Sequence, residues 1–182
     1  SSMNRNLLES VRTIGVIGAG TMGRGIAQIA ARAGFRTRLF DRDAAAIDHA
    51  LRGIEGSWRR DVEKGRMGEA AMRQARALLE PAVRLGELAD CDVIVEAIVE
   101  DLQVKRQLFA DLENLISDQA ILASNTSSLS ITAIQSACGR PGRVAGWHFF
   151  NPVPRMKLAE VVQGALTDEV TVNTLLALTE AI

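Results

Sequence analysis

A glycine-rich turn between two apolar segments constrains the fold of this chain more than any other feature of its sequence. The turn, Gly18-Ala19-Gly20-Thr21-Met22-Gly23, follows a short apolar run at 13–17 and precedes a helical pattern at 22–33, which Gly34 closes. A second apolar run at 37–40 ends at Asp41. A strand, a tight turn, a helix and a strand in about 30 residues form a βαβ unit. The sequence therefore predicts parallel strands joined by a right-handed crossover.

Each glycine of this turn has a physical task in binding a dinucleotide. Gly18 allows the tight turn, Gly20 lets the backbone approach a pyrophosphate, and Gly23 permits close packing of the helix on the strand. The phosphates would lie at the helix N-terminus, where N–H groups are free. Asp41 is placed to accept hydrogen bonds from a ribose, and its charge would repel the extra phosphate of NADP. NAD is therefore the predicted cofactor, although the adjacent Arg42 leaves NADP as an alternative.

The remaining pattern predicts a doubly wound α/β fold with a mainly parallel sheet. Further strands are expected at 92–97, 120–123, 144–149 and 158–162, and further helices at 102–116, 130–137 and 168–182. Two helical segments, 44–63 and 69–79, interrupt this rhythm; a turn at 65–68 separates them and Pro81 stops the second. We therefore expect a helical hairpin inserted between strands 2 and 3, within about 44–80.

Composition limits the possible functions. With 182 residues, 47% of them hydrophobic, the chain can form one sizeable core, and we expect a single domain over 1–182. A near balance of 21 basic and 22 acidic residues favours neither a nucleic acid nor a membrane partner. Cys91 and Cys138 form no CxxC pair, and no metal site is predicted. No apolar run reaches about 18 residues, so we expect a soluble, cytoplasmic protein.

His148 is the main catalytic candidate, because it can pair with Glu160. If 144–149 and 158–162 are neighbouring strands, the two side chains can face the same side, and a carboxylate beside an imidazole raises its basicity. The polar turn at 124–128 follows another strand and offers hydroxyl and amide donors near the same edge. Taken alone, His148 among Trp147 and its aromatic neighbours is equally compatible with a packing role. Helix capping is the simpler interpretation of Ser128 and Ser130.

Other charged residues allow two interpretations each. Glu96 or Glu100 could bind the nicotinamide-side ribose or simply carry charge at a helix N-terminus. His49 is interpreted as part of a solvated hairpin face. One side of that hairpin is basic and consists of Arg52, Arg59, Arg60, Lys64 and Arg66. It is either a solvated surface or a binding site for a ligand that bears phosphate.

Four ordered motifs resemble a known family. The sequences "VIGAGTMGRGIAQ", "VEAIVED", "SNTSSLSIT" and "HFFNPVPRMKLAEVV" are similar to the NAD-binding domain of L-3-hydroxyacyl-CoA dehydrogenase, including the 3-hydroxybutyryl-CoA enzymes, over about 11–164. The resemblance implies a Rossmann-type fold and an oxidoreductase of fatty-acid β-oxidation or related acyl-CoA metabolism. Its reaction is the reversible oxidation of an (S)-3-hydroxyacyl-CoA to the 3-ketoacyl-CoA with NAD.

The resemblance also implies roles for individual residues. Ser127, His148 and Glu160 match the family's catalytic serine, base and orienting carboxylate. Ser57 and Lys64 match hairpin positions that contact coenzyme A, and Asn125 and Ser127 lie at the substrate. The positions that match cofactor contacts are Gly18, Ala19, Gly20, Thr21, Met22, Gly23, Asp41, Glu100, Lys105 and Asn125.

The ends of the chain also carry expectations. The apolar pattern is still running at Ile182, so we expect the chain to be part of a longer protein. The resemblance implies that an all-helical C-terminal domain, absent here, completes the acyl site and forms a homodimer. This chain alone should therefore turn over acyl-CoA poorly or not at all. Met3 lies just before the first strand, so no fused hydratase domain is expected upstream. The alternative functions are a related reductase of hydroxy acids or diketones and a non-catalytic NAD-binding module.

Overall fold

The computed structural model describes residues 2–126 and 128–182, without the side chains of Ser128 and Leu129. Its centre is a seven-stranded sheet with the order β3-β2-β1-β4-β5-β6-β7, in which only β7 runs antiparallel to its neighbour. The strands are β1 (Thr13–Ile17), β2 (Arg36–Phe40), β3 (Leu79–Ala82), β4 (Val93–Glu96), β5 (Ile121–Ser124), β6 (Val144–Phe149) and β7 (Ala159–Val162). The predicted doubly wound, mainly parallel sheet is confirmed.

Helices cover both faces of this sheet. They are α1 (Ser2–Glu9), α2 (Thr21–Arg32), α3 (Ala44–Glu63), α4 (Glu69–Leu78), α5 (Leu102–Glu113), α6 (Ser128–Gln135), α7 (Val153–Met156) and α8 (Glu169–Ala181). One core cluster joins α2, α3 and α8 to one face, and a second joins α5 and α6 to the other. Every residue of β1 and β4 is buried, as expected for strands covered on both faces. No helix in the described ranges has the length and apolarity to cross a membrane.

Side-chain caps explain where three of the helices begin. Asp43 accepts a hydrogen bond from the N–H of Ala45 at the start of α3, and Asp101 and Asp168 cap α5 and α8 in the same way. Each carboxylate satisfies an N–H group that has no partner within its helix and interacts favourably with the helix dipole. Helix α8 is also attached to β6, because Trp147 Nε1 donates a hydrogen bond of 2.9 Å to Thr179 Oγ1.

The structure corrects the sequence prediction at three elements, one of which is the short helix α7 in a segment predicted as a loop. Residues 79–82 form the edge strand β3 instead of the end of a helix and a stop, although Pro81 lies within them. Proline is tolerated there because an edge strand has one side without ladder hydrogen bonds. Helix α1 was not predicted; it packs against α8 ahead of the first strand. The hairpin of α3 and α4 does lie between the second and third strands.

The strand order creates a switch point between β1 and β4. From β1 the chain proceeds outward through β2 and β3, whereas β4 starts the other half of the sheet. The loops after β1 and β4 therefore diverge at the carboxyl edge and leave a crevice, which is where open α/β sheets bind ligands. The loops meet at its base, where the N–H of Ala97 donates to the carbonyl of Ile17 at 2.8 Å.

Candidate functional site

The backbone of the glycine turn requires glycine for two different reasons. Gly18 has a φ of 105°, and a Cβ at this position would lie 2.7 Å from the carbonyl oxygen of Ala97. A Cβ at Gly23 would overlap the carbonyl group of Gly18, so the third glycine lets α2 pack on the turn. Among the residues that the structure describes, and apart from those adjacent in the chain, none has an atom within 4 Å of a Cβ built at Gly20. The space in front of Gly20, at the first turn of α2 with Thr21 and Met22, is thus open to a ligand.

A pocket of about 490 Å³ lies beside this turn. Its apolar lining comes from both halves of the sheet and is suited to a flat aromatic ring: Ile17, Phe40, Ala97, Ile98, Val99, Val104 and Leu108. Asp41 and Arg42 line the same pocket. The combination of an apolar slot, an acidic residue and an open helix N-terminus fits the adenosine and pyrophosphate of a dinucleotide.

Asp41 has a structural task as well as a place in this pocket. Its Oδ2 accepts a 2.9 Å hydrogen bond from the backbone N–H of Ala19, and its Oδ1 accepts one of 2.9 Å from that of Asp43. The carboxylate therefore holds the glycine turn against the end of β2. Each oxygen retains a second lone pair, which is available to a ribose hydroxyl.

A buried ion pair lies where β4 and β5 end. Lys105 Nζ is 3.2 Å from Glu96 Oε1, and the two side chains are only 1% and 0% exposed. Glu96 Oε1 also accepts a hydrogen bond from the hydroxyl of Ser124, and its Oε2 accepts one of 3.0 Å from the N–H of Ile98. A buried charge is stable only when it is paired and hydrogen-bonded, and both conditions are met here. Glu96 therefore anchors Lys105 and is not a helix-terminal charge.

Glu100 extends this network to the surface. Lys105 Nζ donates to Glu100 Oε1 at 2.8 Å, and Thr126 Oγ1 donates to its other oxygen at 2.9 Å. Partial desolvation raises the pKa of Glu100, but the hydrogen bonds from Lys105 and Thr126 and the charges of Lys105 and His148 outweigh it, so the pKa is lowered. The Glu100 side chain is 67% exposed and stays ionised, so it is the accessible carboxylate at this edge.

His148 and Glu160 occupy opposed positions on neighbouring strands, as the sequence predicted. The two residues face each other in the β6–β7 register, and in antiparallel pairs the Cβ atoms of opposed residues are about 5 Å apart. His148 is half-buried and Glu160 is exposed. Trp147 and Phe149 are buried in the core, with ring centroids 4.8 Å apart, so alternation along β6 gives His148 the other face. His148 therefore lies on the opposite face of β6 from Trp147 and Phe149, and its one recorded aromatic contact within the described residues is an edge-on packing against Phe150, with ring centroids 6.0 Å apart.

Asn125 connects the end of β5 to the end of β6. Its Oδ1 accepts a 2.8 Å hydrogen bond from the N–H of Phe149, directly after His148, and its own N–H donates to the carbonyl of Glu96 at 2.9 Å. The side-chain amide nitrogen has no recorded protein partner within the described residues and can donate to a ligand. Ser127, the predicted catalytic serine, lies outside the described residues.

A second cleft, of about 390 Å³, lies between α2, α3 and the segment 151–154. Ser57 lines it and accepts a 3.0 Å hydrogen bond from Gln28 Nε2, so its own hydroxyl hydrogen remains available. Lys64, the other predicted coenzyme A contact, is exposed at the C-terminus of α3 and does not line this cleft. His49, interpreted from the sequence as solvated, is exposed but lines the cleft.

Several residues of these sites were missed by the sequence analysis. Thr126 and Ser124 hydrogen-bond the two carboxylates, and Gln28 and Arg24 face the second cleft. The polar turn after β5 was a signal for the first pair. The available signal for Arg24 and Gln28 was their spacing on α2, where Thr21, Arg24 and Gln28 follow one another at intervals of three and four residues and therefore share a face.

Comparison with known proteins gives a consistent result. Residues 13–182 match the family model described as "3-hydroxyacyl-CoA dehydrogenase, NAD binding domain". The chain is 44% identical over 161 residues to a 3-hydroxybutyryl-CoA dehydrogenase of Bradyrhizobium diazoefficiens, a match that covers 88% of this chain and 55% of the relative. It is 42% identical over 173 residues to the 3-hydroxyadipyl-CoA dehydrogenase of Escherichia coli K12, covering 95% of this chain and 36% of the relative.

Solved structures agree with the curated relatives. The crystal structure of a 3-hydroxybutyryl-CoA dehydrogenase from Escherichia coli K12 superposes with a TM-score of 0.92 at 43% identity, covering 94% of this chain and 36% of the other. The chain thus spans about half, or less, of the length of the relatives that it matches.

Proposed function

The chain belongs to the 3-hydroxyacyl-CoA dehydrogenase family, whose NAD-binding domain it forms, and on that premise we propose that the protein carrying it interconverts (S)-3-hydroxyacyl-CoA and 3-ketoacyl-CoA. The observation that carries the proposal is the cross-strand register of His148 and Glu160 at the carboxyl side of the sheet. A base is needed to accept the hydroxyl proton of the substrate, and an imidazole titrates near neutral pH.

The cofactor would be held along the carboxyl edge of the sheet. Residues 18–23 and Asp41 would bind the pyrophosphate and adenosine ribose, and Glu100 and Asn125 would face the nicotinamide half. Lys105, predicted from the sequence as a cofactor contact, is buried and would act by holding Glu100 in place. The lowered pKa of Glu100 keeps it ionised as a hydrogen-bond acceptor for ribose hydroxyls. When bound, NAD supplies the acceptor for the hydride that leaves the substrate carbon.

The side chains around the substrate would then move one proton and stabilise one oxygen. His148 accepts the proton of the 3-hydroxyl group, and Glu160 across the strand pair stabilises the imidazolium that results. We propose Ser127 as the hydrogen-bond donor to the substrate oxygen, where negative charge develops. Ser57 and Lys64 are proposed contacts for coenzyme A along α3.

We also propose that a further, helical part of the protein completes the acyl site and provides a homodimer contact. The matched relatives support this, because they extend well beyond the region that corresponds to this chain. The 182-residue chain alone is then expected to bind NADH yet to reduce acetoacetyl-CoA poorly.

The test is the reduction of acetoacetyl-CoA by NADH, followed at 340 nm in the full-length protein. His148→Gln should lower kcat by roughly 10²- to 10⁴-fold, the usual contribution of a general base. The Kd for NADH, measured by fluorescence, should change less than twofold. Glu160→Gln should give a smaller loss of kcat, and Glu169→Gln, an equally exposed carboxylate at the start of α8, serves as its control. Full activity of His148→Gln would rule out the proposed base.

Two alternative functions give different results in the same assay. An enzyme of free hydroxy acids or diketones would reduce the corresponding keto acids or the diketones and not the CoA ester, and Lys64→Glu would leave its kinetics unchanged. A non-catalytic module would bind NADH without reducing any of these substrates. The placement of His148 opposite Glu160, on the face of β6 that points away from Trp147 and Phe149, favours the catalytic interpretation.

A further inference from the structure

The second cleft is separate from the dinucleotide pocket although the two share Gly20. The dinucleotide pocket is lined by strand ends, whereas the cleft is lined by the side of α2, one face of α3 and the segment 151–154. On α3, His49, Gly53, Ser57 and Arg60 follow one another at intervals of three or four residues and therefore share a face. A ligand in this cleft would lie along α3 instead of along the sheet.

The charge of the cleft is positive. Arg24, Arg60 and His49 line it, and no carboxylate does so among the residues that the structure describes. Some arginines of the chain have acidic partners; Arg38 pairs with Asp90, for example. Arg24 and Arg60 have no ion pair within the described ranges. Cations left without a carboxylate around a concave surface favour an anionic ligand.

Arg24 is held in place by a glycine. Its guanidinium lies against α3 at Gly53, and a Cβ built at position 53 would lie 2.8 Å from Nη2 and closer still to Cζ. Any residue other than glycine would displace this group from its seat. Gly53 is in the interior of a helix, where glycine is unfavourable relative to alanine, so the seat is formed at a cost to helix propensity. A half-buried, seated guanidinium loses little further freedom when it binds a phosphate.

Neutral donors accompany the cations. Gln28 is buried and directs its amide at Ser57 Oγ, which leaves the Ser57 hydrogen free to donate into the cleft. An elongated ligand with phosphates at one end and amide carbonyls along its length would match cations followed by a hydroxyl donor. Coenzyme A has both features.

We propose that Arg24, seated on Gly53 and assisted by Arg60, binds the phosphate groups of the nucleotide part of the acyl-CoA substrate. This inference rests on the proposed function and assigns Arg24 a role in substrate specificity. Because one end of α2 faces the dinucleotide and its side faces this cleft, the same helix would contact both ligands. Arg24 is then what distinguishes a CoA ester from a thioester that lacks the nucleotide.

The experiment compares two substrates in the full-length protein: acetoacetyl-CoA, and S-acetoacetyl-N-acetylcysteamine, which has the same reacting group but no phosphate. Arg24→Met should raise KM for acetoacetyl-CoA roughly tenfold, the effect of one lost charge-assisted hydrogen bond. It should leave kcat for both substrates, KM for the short thioester and Kd for NADH within twofold. Arg32→Met, an exposed arginine in the last turn of the same helix, is the matched control.

A second variant separates this role from folding. Gly53→Ala should raise KM for acetoacetyl-CoA as Arg24→Met does, because the new methyl group displaces the guanidinium, while the thermal midpoint stays the same or rises. Gly56→Ala on the same helix is its control, since a Cβ there meets only an ordinary contact at 3.4 Å, from Arg60 Nη1.

The outcomes distinguish the two proposals. If the wild-type protein reduces neither thioester, the proposed function fails and the inference with it. If it reduces both and Arg24→Met leaves KM for acetoacetyl-CoA within twofold, only the inference fails. A rise in Kd for NADH that equals the rise in KM would assign Arg24 to the dinucleotide instead and would equally overturn the inference.

Discussion

Replacing Lys105 by methionine tests how much the buried ion pair stabilises the carboxyl edge of the sheet. The substitution removes the ammonium group and keeps a long apolar side chain in its place. It leaves the Glu96 carboxylate, which is 0% exposed, with only the hydroxyl of Ser124 and the N–H of Ile98 as recorded partners. The reverse change, Glu96→Gln, leaves the Lys105 ammonium with Glu100 as its one charged partner.

The size of the effect follows from burial. Removing one member of a buried pair costs about 3–5 kcal/mol, because the remaining charge stays desolvated. We expect about 3 kcal/mol or more for Lys105→Met, which corresponds to a fall of roughly 10 °C in the thermal midpoint of a domain of this size. The double variant Glu96→Gln/Lys105→Met should recover about 2 kcal/mol relative to the sum of the two single changes, since neither charge is then left unpaired.

Glu100→Gln provides a matched comparison, since Glu100 binds the same Nζ atom from a 67% exposed side chain. Pairs that are exposed to solvent contribute about 0–1 kcal/mol, so Glu100→Gln should cost much less than Glu96→Gln. The pKa of Glu100 is lowered in the folded protein, so its contribution is present above the ordinary carboxyl pKa and is lost as the pH falls through the lowered value. The wild type and Glu100→Gln should therefore converge in stability in acid.

Urea denaturation followed by tryptophan fluorescence measures the wild type and the four variants, since Trp58 and Trp147 are both buried and will report unfolding. A cost below about 1 kcal/mol for Lys105→Met would show that the pair is not the stabilising element described here. A double variant as unstable as the sum of the single variants would show that Glu96 and Lys105 act independently.

Three further predictions concern backbone and thiol groups. Gly18→Ala should destabilise the protein by more than about 2 kcal/mol, because it combines a φ of 105° with a Cβ only 2.7 Å from the carbonyl oxygen of Ala97. Gly34→Ala, with a φ of 102° and open space around its Cβ, should cost about 1 kcal/mol in the same urea titration. Desolvation raises the pKa of the Cys91 thiol to about 12, so native Cys91 should resist Ellman's reagent at pH 8, and rapid labelling would contradict its burial. The contribution of this thiol to stability is present below the ordinary thiol pKa and is lost as the pH rises toward 12. Asn125→Ala should cost about 1–2 kcal/mol because it removes the acceptor for the N–H of Phe149, and Asn125→Asp, which keeps that acceptor, should retain most of the stability.

The fold was predictable from sequence where the pattern is strong and local. The glycine turn with its flanking strand and helix fixed the first βαβ unit, and the hairpin helices were long enough to recognise by periodicity. Strand β3 was not predictable in the same way, because four residues that include Pro81 carry no strand signal, and the strand forms only because β2 offers an unpaired edge.

In the candidate site, too, the contacts that follow from strand pairing could be predicted and those that depend on tertiary packing could not. The opposition of His148 and Glu160 followed from assuming that two strands are neighbours, and the register bears this out. The burial of Lys105 could not be inferred, since lysine is almost never buried unless it is paired, and its partner Glu96 lies on the other side of the loop between β4 and α5. The seat of Arg24 on Gly53 is a contact between two helices and has no local signature.

The hydrogen bond from Ala19 to Asp41 has a consequence for redesigning cofactor preference. A change from NAD to NADP is usually attempted by exchanging the acidic residue at the end of the second strand for a neutral or basic one. In this protein that exchange would also remove one of the hydrogen bonds that hold the glycine turn at the end of β2, leaving the bond from the N–H of Gly18 to the carbonyl of Phe40. The affinity for both dinucleotides is then expected to fall together. A change of preference to NADP, whether engineered or evolved, would first require another hydrogen-bond acceptor for the Ala19 N–H. Arg42 could then bind the additional phosphate of NADP.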